Sequence, residues 1–95
     1  MSINAVVILK THEDKREGFK EIMRNSKPKL LAADGCISIQ MLQDSVDTDT
    51  FVLIEEWESQ EKHQAYFGEL IRSGDWDKMS AHLASEPDSR YCSVF

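Results

Sequence analysis

Two periods of apolar and polar residues alternate along this chain, and the points where one gives way to the other mark its elements. Ile3 to Lys10 is apolar and rich in β-branched residues, so it reads as a first strand. Thr11 to Asp14 is a polar turn, and Asp14-Lys-Arg-Glu17 has the form of a capping box, with Asp14 as N-cap and Glu17 reaching back. A helix follows, with Phe19, Ile22, Met23, Leu30 and Leu31 at helical spacing. Pro28 either kinks it or opens a second short helix, and Gly35 after Asp34 supplies a left-handed stop. From Cys36 to Gln43 the period drops to two, with Ile37, Ile39 and Met41 set against Ser38, Gln40 and Leu42. The polar loop from Asp44 to Thr50 turns this second strand into a third as a hairpin. That third strand opens as the bare apolar run Phe51 to Ile54 and continues to Trp57, which marks it as covered on both faces. Ser59 suits an N-cap, and the helix after it turns His63, Tyr66, Phe67, Leu70 and Ile71 inward. Ser73-Gly74 breaks that helix. Asp75 caps a last short one bearing Trp76, Met79, His82 and Leu83, Glu86-Pro-Asp88 stops it, and Arg90 to Phe95 reads as a terminal strand.

The order β-α-β-β-α-(α)-β is the split βαβ pattern of an α+β, ferredoxin-like sandwich with an antiparallel sheet. Its sheet packs helices on one face. Yet the first and third strands are apolar on both faces, Val6 and Ile8 against Val7 and Leu9, Val52 and Ile54 against Phe51 and Leu53. A second copy of the sheet is the simplest cover, so a two-fold homodimer is expected. The second and fourth strands fall at opposite edges in this order, which keeps Cys36 and Cys92 apart and unbridged.

Ninety-five residues make a single domain, 1–95, with a limited core. The net charge is 11 − 17 = −6. Its basic pairs, Lys15-Arg16 and Lys27-Pro-Lys29, are too small and too flanked by acids or apolar residues to bind nucleic acid or an anionic membrane. The apolar N-terminus has only strand length and no basic flank, so it reads neither as a signal peptide nor as a span; the expected location is the cytoplasm.

Candidate chemistry gathers where the third strand ends. Glu55 and Trp57 are two residues apart and share a face, which puts a carboxylate and an indole at the mouth of an apolar strand, where they would orient a small apolar ligand. No metal is expected. His12, His63 and His82 lack ligand spacing, and Asp44, Asp47 and Asp49 lack the glycine and glutamate of a calcium loop.

Three segments carry a resemblance. Pro28-x-x-Leu31-x-x-x-Gly35-Cys36, Glu55-x-Trp57-x-Ser59 and the broken second helical region are similar to those of the antibiotic biosynthesis monooxygenase family, within the dimeric α+β barrel superfamily. That resemblance implies a small enzyme that oxidises quinol- or polyphenol-type aromatics with O2, using neither metal nor flavin. Many members carry a histidine at the position held here by Tyr66, and His63 sits one turn earlier on the same face. His63, Tyr66 and Glu55 are therefore the expected catalytic residues, and Trp57, Phe67, His82 and Asn4 the expected substrate-binding ones. His12-Glu-Asp-Lys15 resembles a turn in a branch that processes phosphorylated autoinducer-2. This suggests as an alternative an isomerase of a small phosphorylated carbonyl compound, with Lys10, Arg72 or Arg90 as phosphate clamp. A heme-degrading branch would need His82 and Asn4 as its heme-side residues. The third class is a ligand-binding dimer without chemistry.

Overall fold

The computed structural model describes residues 2–95. Strand β1 spans Ile3–Lys10, helix α1 Arg16–Leu31, β2 Cys36–Gln43, β3 Thr50–Trp57, α2 Gln60–Arg72, α3 Asp75–Ser80 and β4 Asp88–Cys92. All strand pairs are antiparallel and the order across the sheet is β2-β3-β1-β4. This is the expected ferredoxin-like α+β fold.

Strand β3 alternates strictly between its two faces. Phe51, Leu53, Glu55 and Trp57 of β3 are buried under the helices, and their register partners Leu9 and Ala5 of β1 are buried with them. Phe19 and Met23 of α1 close over Leu9, Phe51 and Leu53, and Leu30 closes over Ala5 and Trp57. The opposite face carries Val6, Ile8, Val52 and Ile54, with Leu42 beside them, and no helix of the described residues lies on it. Ile8 and Leu42 stay 40% and 41% exposed.

Several local expectations gave way to tertiary contacts. The capping box does not form. Glu13–Lys15 is a single tight turn and α1 starts at Arg16, with no side chain capping it. Arg16 is tied instead to the hairpin loop, through Thr48 Oγ1 at 3.0 Å and Asp49 Oδ1 at 3.1 Å. Pro28 lies inside one continuous helix. Its lost N–H comes one turn before the end, where Leu30 is already anchored in the core. β2 carries an irregularity between Cys36 and Ser38, so Ile37 is left out of the alternation and 48% exposed. Helix α3 ends at Ser80, short of His82 and Leu83; Leu83 bridges to Thr11 instead. β4 runs Asp88–Cys92 rather than from Arg90 to the C-terminus, because its partner β1 has no strand residue beyond Ile3 to pair with Val94 and Phe95.

Other signals held. Ser59 Oγ accepts from the Lys62 N–H at 3.2 Å. Gly35 adopts φ +88°, and a Cβ there would sit 2.6 Å from that of Lys62, so both backbone and space demand glycine. Cys36 and Cys92 are free thiols on opposite edge strands. Among the described residues no helix is long and apolar enough to cross a membrane.

Candidate functional site

A cavity of about 530 Å³ opens between the covered sheet face and the helices. Its floor is apolar: Val7 and Leu9 from β1, Leu53 from β3, Met41 from β2. Polar groups gather at the end of β3, where Glu55 is only 6% exposed. One of its oxygens, Oε1, accepts from Trp57 Nε1 at 2.9 Å. Among the described residues Oε2 takes no hydrogen bond. No polar side-chain atom sealed from solvent among the described residues lacks a partner, so Oε2 faces open space, and Glu55 is a lining residue of the cavity.

Helix α2 brings His63 over this carboxylate. The capped start at Ser59 fixes the helix phase, which turns His63, Tyr66 and Phe67 to the cavity. His63 Nε2 lies 3.8 Å from Glu55 Oε1, and Nδ1 lies 2.7 Å from the Tyr91 hydroxyl. If Tyr91 donates, Nε2 carries the hydrogen and faces Glu55 Oε1; if Tyr91 accepts, Nε2 is the free base. The His63 ring stands edge-on to Trp57 at 5.4 Å and stacks on Phe67 at 6.4 Å.

Burial sets the charge states. It raises the Glu55 carboxyl above its usual value, offset in part by the Trp57 hydrogen bond. It lowers His63 despite the nearby carboxylate, so the imidazole is neutral at pH 7. It raises Tyr66, with the charge of Glu55 adding to the effect, so the phenol stays protonated.

Of the residues expected from sequence, Glu55, His63, Tyr66 and Phe67 meet at this cavity. Trp57 does not line it. It is fully buried behind the carboxylate, with Ala5 and Leu30, and reaches the site through its hydrogen bond to Glu55 and its ring contacts with His63 and Tyr66. Asn4 lies on the open sheet face, opposite Cys92 and Glu56. His82 sits on the turn after α3, bonded to the Lys78 carbonyl at 2.8 Å, with Nε2 against Gly18. Both are away from the cavity, because a strand's alternation and the early end of α3 turn them elsewhere.

Tyr91, Trp76 and Gln64 are among the lining residues that the sequence did not reveal. Tyr91 of β4 pairs with Ala5 and so shares the covered face; period-two alternation along the last strand was the available signal. Trp76 of α3 meets Phe67 edge-on at 5.2 Å and lines the cavity, the part expected of Trp57. Gln64 lines it too. The three candidate phosphate ligands are engaged elsewhere: Lys10 with Asp47 at 3.0 Å, Arg90 with Asp88 at 3.1 Å, and Arg72 with Glu69. No lysine or arginine lines the cavity among the described residues. Nor do any three of His, Cys, Asp and Glu gather there in a metal-binding group.

The antibiotic biosynthesis monooxygenase model matches residues 2–69, well over half of the chain. The chain belongs to that family. Matched residues include Glu55, Trp57, His63, Tyr66 and Phe67, whereas Trp76 and Tyr91 lie beyond them. The fold is similar to that of an antibiotic biosynthesis monooxygenase-type protein from Nitrosomonas europaea, with TM-score 0.86 and 22% identity over 98% of this chain and 89% of that one. It is equally similar to Rv0793 from Mycobacterium tuberculosis, with TM-score 0.86 and 15% identity over 100% and 96%. A conserved protein from Methanosarcina mazei also gives TM-score 0.86, at 16% identity over 96% and 90%. At these identities the likeness is one of fold. No curated protein matches the chain in sequence.

Proposed function

We propose that this family member is a monooxygenase that oxidises an electron-rich phenol or quinol with O2, without a bound cofactor. The observation that carries the reading is the Glu55–His63 pair at the wall of an otherwise apolar cavity, with one carboxylate oxygen open to it. A planar phenol fits the apolar body, and its hydroxyl finds an acceptor at Glu55 Oε2 or at His63 Nε2. Passing one electron to O2 leaves a phenol radical cation, a far stronger acid than the phenol, so an imidazole of lowered basicity suffices to take the proton. The phenoxyl and the reduced O2 then join as a hydroperoxide. Loss of water, with the proton returned by His63, leaves the quinone: one phenol and one O2 give one quinone and one H2O. Tyr66, held protonated, donates a hydrogen bond to the developing negative oxygen.

Dioxygen uptake with a hydroxynaphthalene or quinol tests the proposal. His63→Phe should cut turnover by roughly 10²–10⁴-fold while calorimetric binding persists. Tyr66→Phe removes only a hydroxyl and should lower kcat more than it raises KM. Uptake by the wild type no faster than autoxidation would leave a binding protein without chemistry.

We propose further that the molecule works as a homodimer in the cytoplasm. Val6, Ile8, Leu42, Val52 and Ile54 give the uncovered sheet face an apolar surface that a second copy would bury. Sedimentation equilibrium at micromolar protein should show the dimer; a stable folded monomer would overturn it.

A further inference from the structure

A second, smaller cavity of about 230 Å³ lies at the outer edge of the sheet, between α1 and β2. It shares three side chains with the first: Met23, Met41 and Leu53. The two spaces are thus neighbours separated largely by methionine side chains, which are unbranched and swing at low cost. Beyond them the character of the wall changes. Lys20 and Arg24, one turn apart on α1, line the second cavity above Phe51. Each has an acid three residues back: Lys20 stands 3.9 Å from Glu17, and Arg24 3.2 Å from Glu21. Both acids are largely exposed, so these pairs are worth little and give way to a better-placed anion. The Lys20 side chain is itself only 28% exposed, since it leans over the cavity rather than into water.

The two ends therefore differ in charge. The inner end holds Glu55 and no cation; the outer end holds two cations over an apolar floor. Glu55 and Phe51 lie four positions apart on β3, which is about 13 Å at the rise of a strand.

We propose that the site takes an elongated amphipathic ligand. Its phenolic hydroxyl sits at Glu55, its apolar body runs over Leu53 between Met23 and Met41, and an anionic group such as a carboxylate ends at Lys20 and Arg24. The proposal rests on the phenol-binding reading above and adds a second recognition point, which confers selectivity for length and charge. An anion at the inner end is disfavoured by the carboxylate there, so the ligand has a single orientation.

Calorimetric titration with ω-(4-hydroxyphenyl)alkanoic acids of short, intermediate and long spacers tests this, with their methyl esters and 2-naphthol as controls. Affinity should peak for the acid whose hydroxyl and carboxylate lie about 13 Å apart. That acid should bind roughly tenfold more tightly than its ester, and the difference should shrink with added salt. The double variant Lys20→Ala/Arg24→Ala should abolish the acid's advantage and leave 2-naphthol binding unchanged. Equal binding of acid and ester by the wild type, or an advantage that survives the double variant, overturns the proposal. If 2-naphthol binds but the acids gain nothing, this inference alone falls. If 2-naphthol does not bind, the phenol reading falls and this inference with it.

Discussion

Replacing Trp57 by Phe tests what holds the candidate site together. The indole is fully buried and its Nε1 donates to Glu55 Oε1 at 2.9 Å. Phe keeps most of the aromatic surface but removes the donor and leaves a void. Losing a hydrogen bond to a buried carboxylate costs about 1.5–3 kcal/mol where it carries its charge. The void adds about 1–2 kcal/mol. A total of ~2.5–5 kcal/mol is a large share of the ~5–15 kcal/mol that a small domain has. A double-mutant cycle with Glu55→Leu separates the two parts, because in that background no carboxylate is left unpaired and only the void remains. Urea unfolding at fixed protomer concentration should show a coupling of about 1.5–3 kcal/mol with unchanged m-values. The coupling should shrink as pH falls through the raised pKa of Glu55, since a protonated carboxyl needs the indole less. Equal cost of Trp57→Phe in both backgrounds would refute the claim that Trp57 acts through Glu55.

Other perturbations give distinct readouts. Tyr91→Phe removes the hydroxyl 2.7 Å from His63 Nδ1; it should cost about 0.5–1.5 kcal/mol of stability and change the imidazole tautomer ratio seen by nitrogen NMR. His63 has a folded-state pKa below its unfolded value, so the unfolded chain binds more protons and acidification below about pH 6.5 should cost stability. Glu55 works in the opposite sense, adding stability as pH falls through its raised pKa, so the His63 part is read as the wild-type minus His63→Gln difference in urea midpoint. That difference should move against the wild type on acidification, and a flat difference would contradict it. Ser59→Ala removes the cap of α2 and should cost about 1 kcal/mol in urea unfolding. Gly35→Ala should cost more than about 1–2 kcal/mol, the left-handed penalty, because its Cβ also meets Lys62.

Short-range signals determined much of this molecule. Alternation in β3 put Glu55 and Trp57 on one face, Ser59 set the phase of α2, and that phase brought His63, Tyr66 and Phe67 to the cavity. Each of these follows from a period or a cap, which a chain carries locally. The order of strands followed from the order of elements, and with it the separation of Cys36 from Cys92. What depended on distant partners was not legible. The start of α1 was set by Arg16 reaching Asp49, and the end of β4 by where β1 begins. The identity of the lining tryptophan was decided by depth: β3 is one of the two central strands, so Trp57 is sealed beneath the carboxylate, while α3 brings Trp76 to the cavity lining. Tyr91 reaches His63 only because β4 pairs with β1 across the sheet from β3, a contact 28 residues apart in sequence. A local pattern tells which way a side chain faces; only the packed structure tells what it faces.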